Sequence, residues 1–410
     1  MKKYIFFTPS ICFMGGAEEY VNKKIVFLQN NGYLVYVFSS RRGKIIIPNF
    51  RQYEDGVITC LGLPPYVYSK RFINNTINVL LSKIDYSVND EVYIESNVIS
   101  LDLWAEIFAK KTNGEHVVID LQEEHEYPLF IQNYYYFKYL RNELFGINQK
   151  SISKILNLIP GKHEARYILA ACNDVVENVE SEIAKSIPES DYNICSIGRL
   201  DKNFLIYGCT EVVKFARKCQ DKKINLIFIG DGSEERKNEI RSIINAQDNI
   251  TLIITGYTYP IPQELLDKMD CYFSSAGSAR VSANAGLPTI TMSVESEPLG
   301  IMYYTTMETL YKPADYQFLD LSKYLEMVLV EHFCDLNTPR YSRPLFDKEG
   351  EFKRELSFFG HFEKQYYDVV KNADLTWKEK IYKTLSFAMG GTFFEKFQYA
   401  LHKAKCGKDV

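Results

Sequence analysis

The feature that most constrains this chain is a repeated alternation of short apolar runs with amphipathic segments. In the first half the runs are "YIFFTPS", "LVYVFSS", "EVYIESN", "HVVIDLQ" and "YILAACN". In the second they are "ICSIGRL", "NLIFIGDG", "ITLIITGY", "DCYFSSAG" and "PTITMS". β-Branched and aromatic runs of this length, separated by helical stretches, predict parallel strands joined by crossover helices. The second set ends repeatedly in Gly or Ser, as strands buried on both faces do when they deliver loops to a ligand crevice. Helices are expected over Ala17–Gln29, Leu101–Lys111 and Val175–Lys185, then over Cys209–Cys219, Glu234–Ala246, Gln263–Met269 and Arg280–Ala285.

At 410 residues the chain exceeds the ~250–300 at which one core stops growing, so two α/β domains are expected. The polar stretch "SIPESDYN" at 186–193 reads as the linker. The expected division is 1–187, 188–345 and a helical region 346–410. Two doubly wound sheets facing across a cleft would bind ligand beyond the carboxyl ends of their strands.

Composition excludes several classes. A formal net charge of −4 argues against a dedicated nucleic-acid binder. The nine cysteines form no CxxC, so neither a disulfide framework nor a zinc site is expected, and a reducing cytosol is favoured. The start "MKKYIFFTPS" reads as a buried strand, not a signal peptide, because Thr8, Pro9 and Ser10 break the apolar run. No run approaches the ~18 apolar residues of a membrane span.

Four loops carry candidate chemistry. Gly15-Gly16-Ala17-Glu18 joins the first strand to the first helix, where glycines let backbone N–H groups approach an anion. Gly198-Arg199-Leu200-Asp201-Lys202 places two cations on one strand-end loop, able to clamp a diphosphate. Gly230-Asp231-Gly232-Ser233 is a turn that feeds a helix. In "SSAGSARVSANAGLPTIT", Ser275, Gly277 and Ser278 offer small side chains and N–H donors at a helix start, and Arg280 adds charge. A fifth loop, "IDLQEEHEYP", presents Glu123, Glu124, His125 and Glu126 past a first-half strand. Glu124 and His125 are its candidate catalytic pair, with Glu18 a further candidate that alternatively complements its own helix N-terminus. His116, His163, His332, His361 and His402 show no ligand spacing.

The order of these motifs, from "GGAEEYVNKKIVFLQNNGYLVYVFSS" through "SIGRLD", "LIFIGDGSE" and "ITLIITGYTY" to "ANAGLPTI", resembles the family-4-like glycosyltransferases (glycosyl transferases group 1) of GT-B fold. The resemblance covers 193–292 most closely and 1–40 more loosely. It implies two Rossmann-like domains, a UDP- or GDP-linked sugar donor as co-substrate held mainly by the later one, no other cofactor, no metal, and a glycan or lipid-linked acceptor. Gly15 and Gly16 would lie against the donor diphosphate, Arg199 would bind phosphate, and Tyr257 and Thr258 would flank the base. Two positions depart from the family. Phe204 stands where a Lys usually follows the Arg, with Lys202 as the substitute. Counting back from Gly286-Leu287-Pro288 puts Val281 at the position of a ribose-binding Glu, leaving Glu295 or Glu297 to supply that carboxylate. "SAGSARVSANAGLP" is also similar to the donor loop of some inverting GT-B enzymes, so retaining and inverting outcomes both stay open.

The implied activity is sugar transfer to an acceptor hydroxyl, in surface-polysaccharide or glycan assembly. A catalytically silent sugar- or nucleotide-binding module and a GT-B nucleotide-sugar epimerase are the alternatives. At the end of the chain, Trp377, Ile381, Leu385 and Ala388 recur at helical spacing beside Lys378, Lys380 and Lys383. Phe393, Phe394, Phe397 and Leu401 do so beside Lys396, Lys403 and Lys405. Residues 350–385 are expected to pack on the body. Residues 392–405 read either as packed helix or as a peripheral contact with the inner face of a membrane.

Overall fold

The computed structural model describes residues 1–12, 15–122, 126–169, 175–176, 179–343, 347–360, 364–390, 393–394 and 396. Contacts divide the chain into two compact units, Met1–Ala170 with Asp347–Val410, and Ala171–Phe346. The first unit is thus built from both ends of the sequence.

The first unit opens with β1 (Lys2–Ser10), α1 (Gly16–Asn30) and β2 (Leu34–Arg41), followed by three short 3-10 turns between residues 48 and 67. Then come α2 (Lys70–Lys83), β3 (Glu91–Ser96), α3 (Ile99–Thr112), β4 (Glu115–Ile119), α4 (Leu129–Leu140), β5 (Leu144–Phe145) and α5 (Ser151–Ile155). The sheet runs β2-β1-β3-β4-β5 and every pairing is parallel. β1 is buried almost throughout, as its unbroken apolar run requires. Phe7, Phe38, Ile94, Trp104 and Phe108 fill the core on one face. The fifth strand is not "YILAACN". Tyr167 makes only an isolated bridge to Gly146, residues 170–173 lie outside the described residues, and the edge place is taken by β5.

The second unit holds β6 (Val175–Val176), α6 (Glu182–Ser186), β7 (Tyr192–Ile197), α7 (Phe204–Lys218), β8 (Ile224–Ile229), α8 (Glu234–Ile244) and β9 (Ile250–Ile254). It continues through β10 (Ile261–Pro262), α9 (Gln263–Leu266), β11 (Cys271–Ser274), α10 (Ala276–Asn284), β12 (Thr289–Met292), β13 (Pro298–Ile301), α11 (Leu321–Leu329) and α12 (Phe333–Leu336). Its main sheet runs β13-β12-β11-β7-β8-β9, parallel except for β13, and the two-residue β6 and β10 pair separately. A helix expected over Val175–Lys185 is therefore a short strand and a five-residue helix instead. Ser181 caps α6, and Ala184 packs beneath β7 and β8, which ties this stretch to the second unit. The boundary falls at 170/171 instead of 187/188, and "SIPESDYN" runs inside the unit from α6 into β7.

After residue 346 the chain completes the first unit with α13 (Lys348–Leu356) and α14 (Trp377–Met389). Phe352 packs against Tyr20 and Phe27 of α1. Glu355 joins a buried charge network: Lys24 Nζ donates to Glu95 Oε2 at 2.5 Å and to Glu355 Oε2 at 2.6 Å, while Tyr4 and Tyr20 donate to the same two carboxylates at 2.7 Å. No described helix is long and apolar enough to cross a membrane. Of the peripheral segment expected at 392–405, only Phe393, Phe394 and Lys396 are described.

Candidate functional site

In the main sheet of the second unit the strand order reverses between β7 and β11, the place where open parallel sheets bind ligands. Backbone pairing there stops at Tyr272 with Cys195. Beyond it the strands are joined by a side chain, since Ile197 N–H donates to Ser274 Oγ at 3.1 Å. The loops after these two carboxyl ends are where a ligand crevice is expected.

From β7 the crevice receives Gly198 and Arg199. Gly198 has a left-handed φ of +132°, and Gly230 at the end of β8 crosses it so closely that a Cβ there would stand 1.9 Å from the Gly198 carbonyl oxygen. Gly198 N–H donates to Ile229 O at 3.0 Å and Leu200 N–H to Asp231 O at 3.0 Å, so the two turns are stitched together. The geometric role expected of Gly230-Asp231-Gly232-Ser233 follows from these contacts. Ser233 caps α8, and Asp231 is held by Lys237 at 2.7 Å. Arg199 remains exposed, and among the described residues its charged contact is Asp201 at a long 3.4 Å. Lys202 is half-buried on the same loop.

From β11 the crevice receives the start of α10. Ser275 donates to Thr309 O at 3.3 Å and does not cap its own helix, leaving the N–H groups of the first turn without a side-chain acceptor. Ala276 is held at φ +54°, a conformation costly for a residue with a Cβ, with its N–H bound to Thr309 O at 2.9 Å. Ser278 Oγ lies 3.6 Å from the point a Cβ on Gly198 would occupy. The structure therefore brings the Gly198–Lys202 loop and the Ser275–Arg280 turn together, with Gly277, Ser278 and Arg280 half-buried. A helix N-terminus beside an exposed guanidinium favours an anion with several oxygens.

Tyr257 and Thr258 follow Gly256 at the end of β9. Tyr257 is 41% exposed. Thr258 Oγ1 is turned into its own loop, 3.2 Å from Thr255 Oγ1. Val281 does not face a ligand: it is buried with Ile197, Tyr272 and Leu265 in the core beneath β7 and β11. Glu297 pairs with Lys312 at 2.8 Å, and Glu295 is exposed. Sequence reasoning missed Arg236, whose Nε donates to Leu200 O at 2.9 Å and whose Nη2 reaches Asp201 O at 3.4 Å and Lys202 O at 3.5 Å. Its signal was faint: an Arg three residues after the Ser that caps α8.

In the first unit Gly15 is the N-cap of α1 and Gly16 its first residue. A Cβ on Gly15 would meet Glu18 Oε2 at 2.9 Å, so the Glu18 carboxylate folds back toward its own helix start. Glu123, Glu124 and His125 lie outside the described residues. Of the described residues on either side, Asp120, fully buried after β4, accepts from Gln122 N–H at 3.0 Å and from Tyr127 OH at 3.1 Å. Beside it, Ser96 Oγ stands 2.8 Å from His116 Nε2, and His116 Nδ1 stands 2.7 Å from Glu106 Oε2. Burial and the neighbouring Lys138 charge push His116 down to about 4, so it is neutral. Burial opposes the charge of Glu106, yet Lys138 and His116 hold it down at about 2. Ser96 is fully buried, beyond the reach of any substrate, so this row of a hydroxyl, an imidazole and a carboxylate holds the sheet together instead of performing chemistry.

Two units, each built on a Rossmann-type parallel sheet, define a GT-B fold. Two solved structures agree in fold. A glycosyltransferase from Rickettsia africae superposes with a TM-score of 0.55 at 11% identity, covering 98% of each chain. TarM superposes at 0.50 and 10% identity, over 88% of this chain and 99% of its own. A UDP-GlcNAc 2-epimerase from Neisseria meningitidis, bound to UDP-GlcNAc, gives 0.44 at 12% identity over 87% of this chain and 99% of its own. No family model and no curated protein matches the sequence.

Proposed function

We propose that the chain transfers a sugar from a UDP- or GDP-linked donor to an acceptor hydroxyl, in the assembly of a surface polysaccharide or another glycan. The observation that carries this reading is the meeting of the Arg199 loop with the start of α10 at the switch point, Ser278 Oγ lying 3.6 Å from where a Gly198 side chain would begin. In the reaction the bond from the anomeric carbon to the diphosphate breaks and a bond to the acceptor oxygen forms. Negative charge grows on the departing diphosphate. Arg199, Lys202 and the N–H groups at 277–279 stabilise that charge, the contribution that usually dominates such catalysis. Tyr257 stacks on the base. The acceptor proton goes to Glu124 or His125. A glycan or a lipid-linked glycan supplies the hydroxyl.

The test is nucleotide binding by calorimetry with UDP, GDP, ADP and CMP, followed by donor turnover in Arg199→Ala and Glu124→Ala. Loss of the Arg199 guanidinium is expected to lower kcat/KM by about 10²–10³, with the melting temperature unchanged because the side chain is exposed. Full turnover and unaltered nucleotide affinity in Arg199→Ala would sink the reading.

A further inference from the structure

The geometry points to α14 as a docking face for an anionic lipid bilayer. The helix begins at a capping box, in which Thr376 Oγ1 accepts from Glu379 N–H and the Glu379 carboxylate accepts from Thr376 N–H. One face holds it to the first unit. Tyr66 OH donates to Glu379 at 2.7 Å, Ser386 Oγ donates to Val67 O at 2.7 Å, and Tyr382 and Leu385 pack against the core.

A helix anchored in this way is expected to turn polar residues outward. This one does not. Trp377 is 68% exposed, Phe387 59% and Ile381 46%. At ~100° per residue these three share the outer side with Thr384, Ala388 and Lys380. Lys378 and Lys383 mark its two edges. The Lys378 ammonium lies 5.7 Å from the centre of the Trp377 ring. Among the described residues Lys378, Lys380 and Lys383 form no ion pair. The apolar stripe continues past Gly390 to Phe393, which is 62% exposed.

Charge selects the occupant. α14 itself carries three lysines against one carboxylate, Glu379, in a chain whose formal net charge is −4. Positive charge is therefore concentrated where the bulky apolar side chains emerge. A second copy of this face would set lysine against lysine. A nucleic acid would leave three large apolar groups without a use. A bilayer with anionic headgroups satisfies both: Trp377, Ile381 and Phe387 enter at headgroup depth while the lysines reach the phosphates. Packing on the body, expected for this stretch, describes only its inner face.

The measurement is flotation of the full chain with phosphatidylcholine vesicles, pure or containing about 30% phosphatidylglycerol, an anionic content that gives a negative surface. It needs no donor or acceptor, so its outcome is independent of the proposed sugar transfer. Binding to the anionic vesicles is expected to exceed binding to neutral ones by about tenfold or more. It should fall by a similar factor both in Trp377→Ser/Ile381→Ser/Phe387→Ser and in Lys378→Glu/Lys380→Glu/Lys383→Glu, with melting temperatures retained. Salt supplies a check on the unaltered chain, since going from about 0.1 to about 1 M shortens screening from ~10 to ~3 Å and should release it. Equal binding to both vesicles overturns the proposal. So does undiminished binding by the folded apolar triple variant, or a dimer that the apolar triple variant dissolves.

Discussion

The two units handle charge in opposite ways. In the second unit Arg199 stands exposed beside a loosely placed Asp201, and α10 begins without a side-chain cap. In the first unit two separate buried groups satisfy themselves, Lys24 with Glu95 and Glu355, and Glu106 with Lys138 and the neutral His116. Charges that already satisfy each other hold helices to a sheet and have nothing left for a ligand. Charges and N–H groups left facing solvent at a switch point are ready to bind one. A cluster of titratable groups therefore marks a ligand site only where its partners are missing, and in this molecule the denser cluster is the structural one.

The sharpest way to break this contrast is Lys24→Met. It leaves Glu95 and Glu355 buried without their shared cation, and about 3–5 kcal/mol of stability should be lost in chemical denaturation. A loss below ~1 kcal/mol would mean the network is not a fastening.

Asp102, in the first turn of α3, tests the same buried region by pH. It accepts from Tyr135 OH at 2.8 Å, and burial, helped by the charge of Asp120, pushes it up to about 7. Between about 4 and 7 the folded state holds this proton more tightly than the unfolded chain, whose carboxyl has a pKa of about 3.9. The wild type therefore gives up stability as pH rises through that window. Asp102→Asn carries no charge and should match the wild type near pH 4. By pH 8 it should exceed it by on the order of 4 kcal/mol. A difference that stays flat with pH would remove Asp102 from the account.

In the second unit the expected effects are smaller because Arg236 and Ala276 are only half-buried. Arg236→Ala frees the carbonyls of Leu200, Asp201 and Lys202, so the donor KM should rise by about tenfold, the worth of roughly one charged hydrogen bond. Fold and kcat should stay nearly unchanged, and a kcat loss with constant KM would assign Arg236 to the chemistry instead. The smallest effect is Ala276→Gly, which relieves the left-handed backbone at the start of α10 and should add at most about 1 kcal/mol of stability. If it weakens nucleotide binding while stabilising the fold, the strained start of α10 has a use in the site.

Sequence periodicity made the second unit legible almost strand for strand, because β7, β8, β9, β11 and β12 are continuous apolar runs closed by small residues. It missed β13, whose antiparallel return through Pro298 and Gly300 carries no strand signature. In the first unit α4 escaped because its Tyr-rich run "LFIQNYYYFKYL" has no polar face to set a period. The loops around Arg199 and Ser278 were legible as chemistry. Their contact was not, since 79 positions separate them in sequence. Val281 shows the hazard of counting along a motif: its register placed it at a ribose, and its side chain fills the core.

The first unit is interrupted by the second, and Glu355 of α13 is needed to balance Lys24 of α1. During synthesis the ribosome delivers Lys24 and its first partner Glu95 hundreds of residues before its second partner, Glu355, exists. The later-encoded, contiguous unit can thus reach its native state while the earlier one still waits, a reversal of the usual first-made, first-folded order. Translation must pass residue 355 before the opening half of the message becomes a finished object.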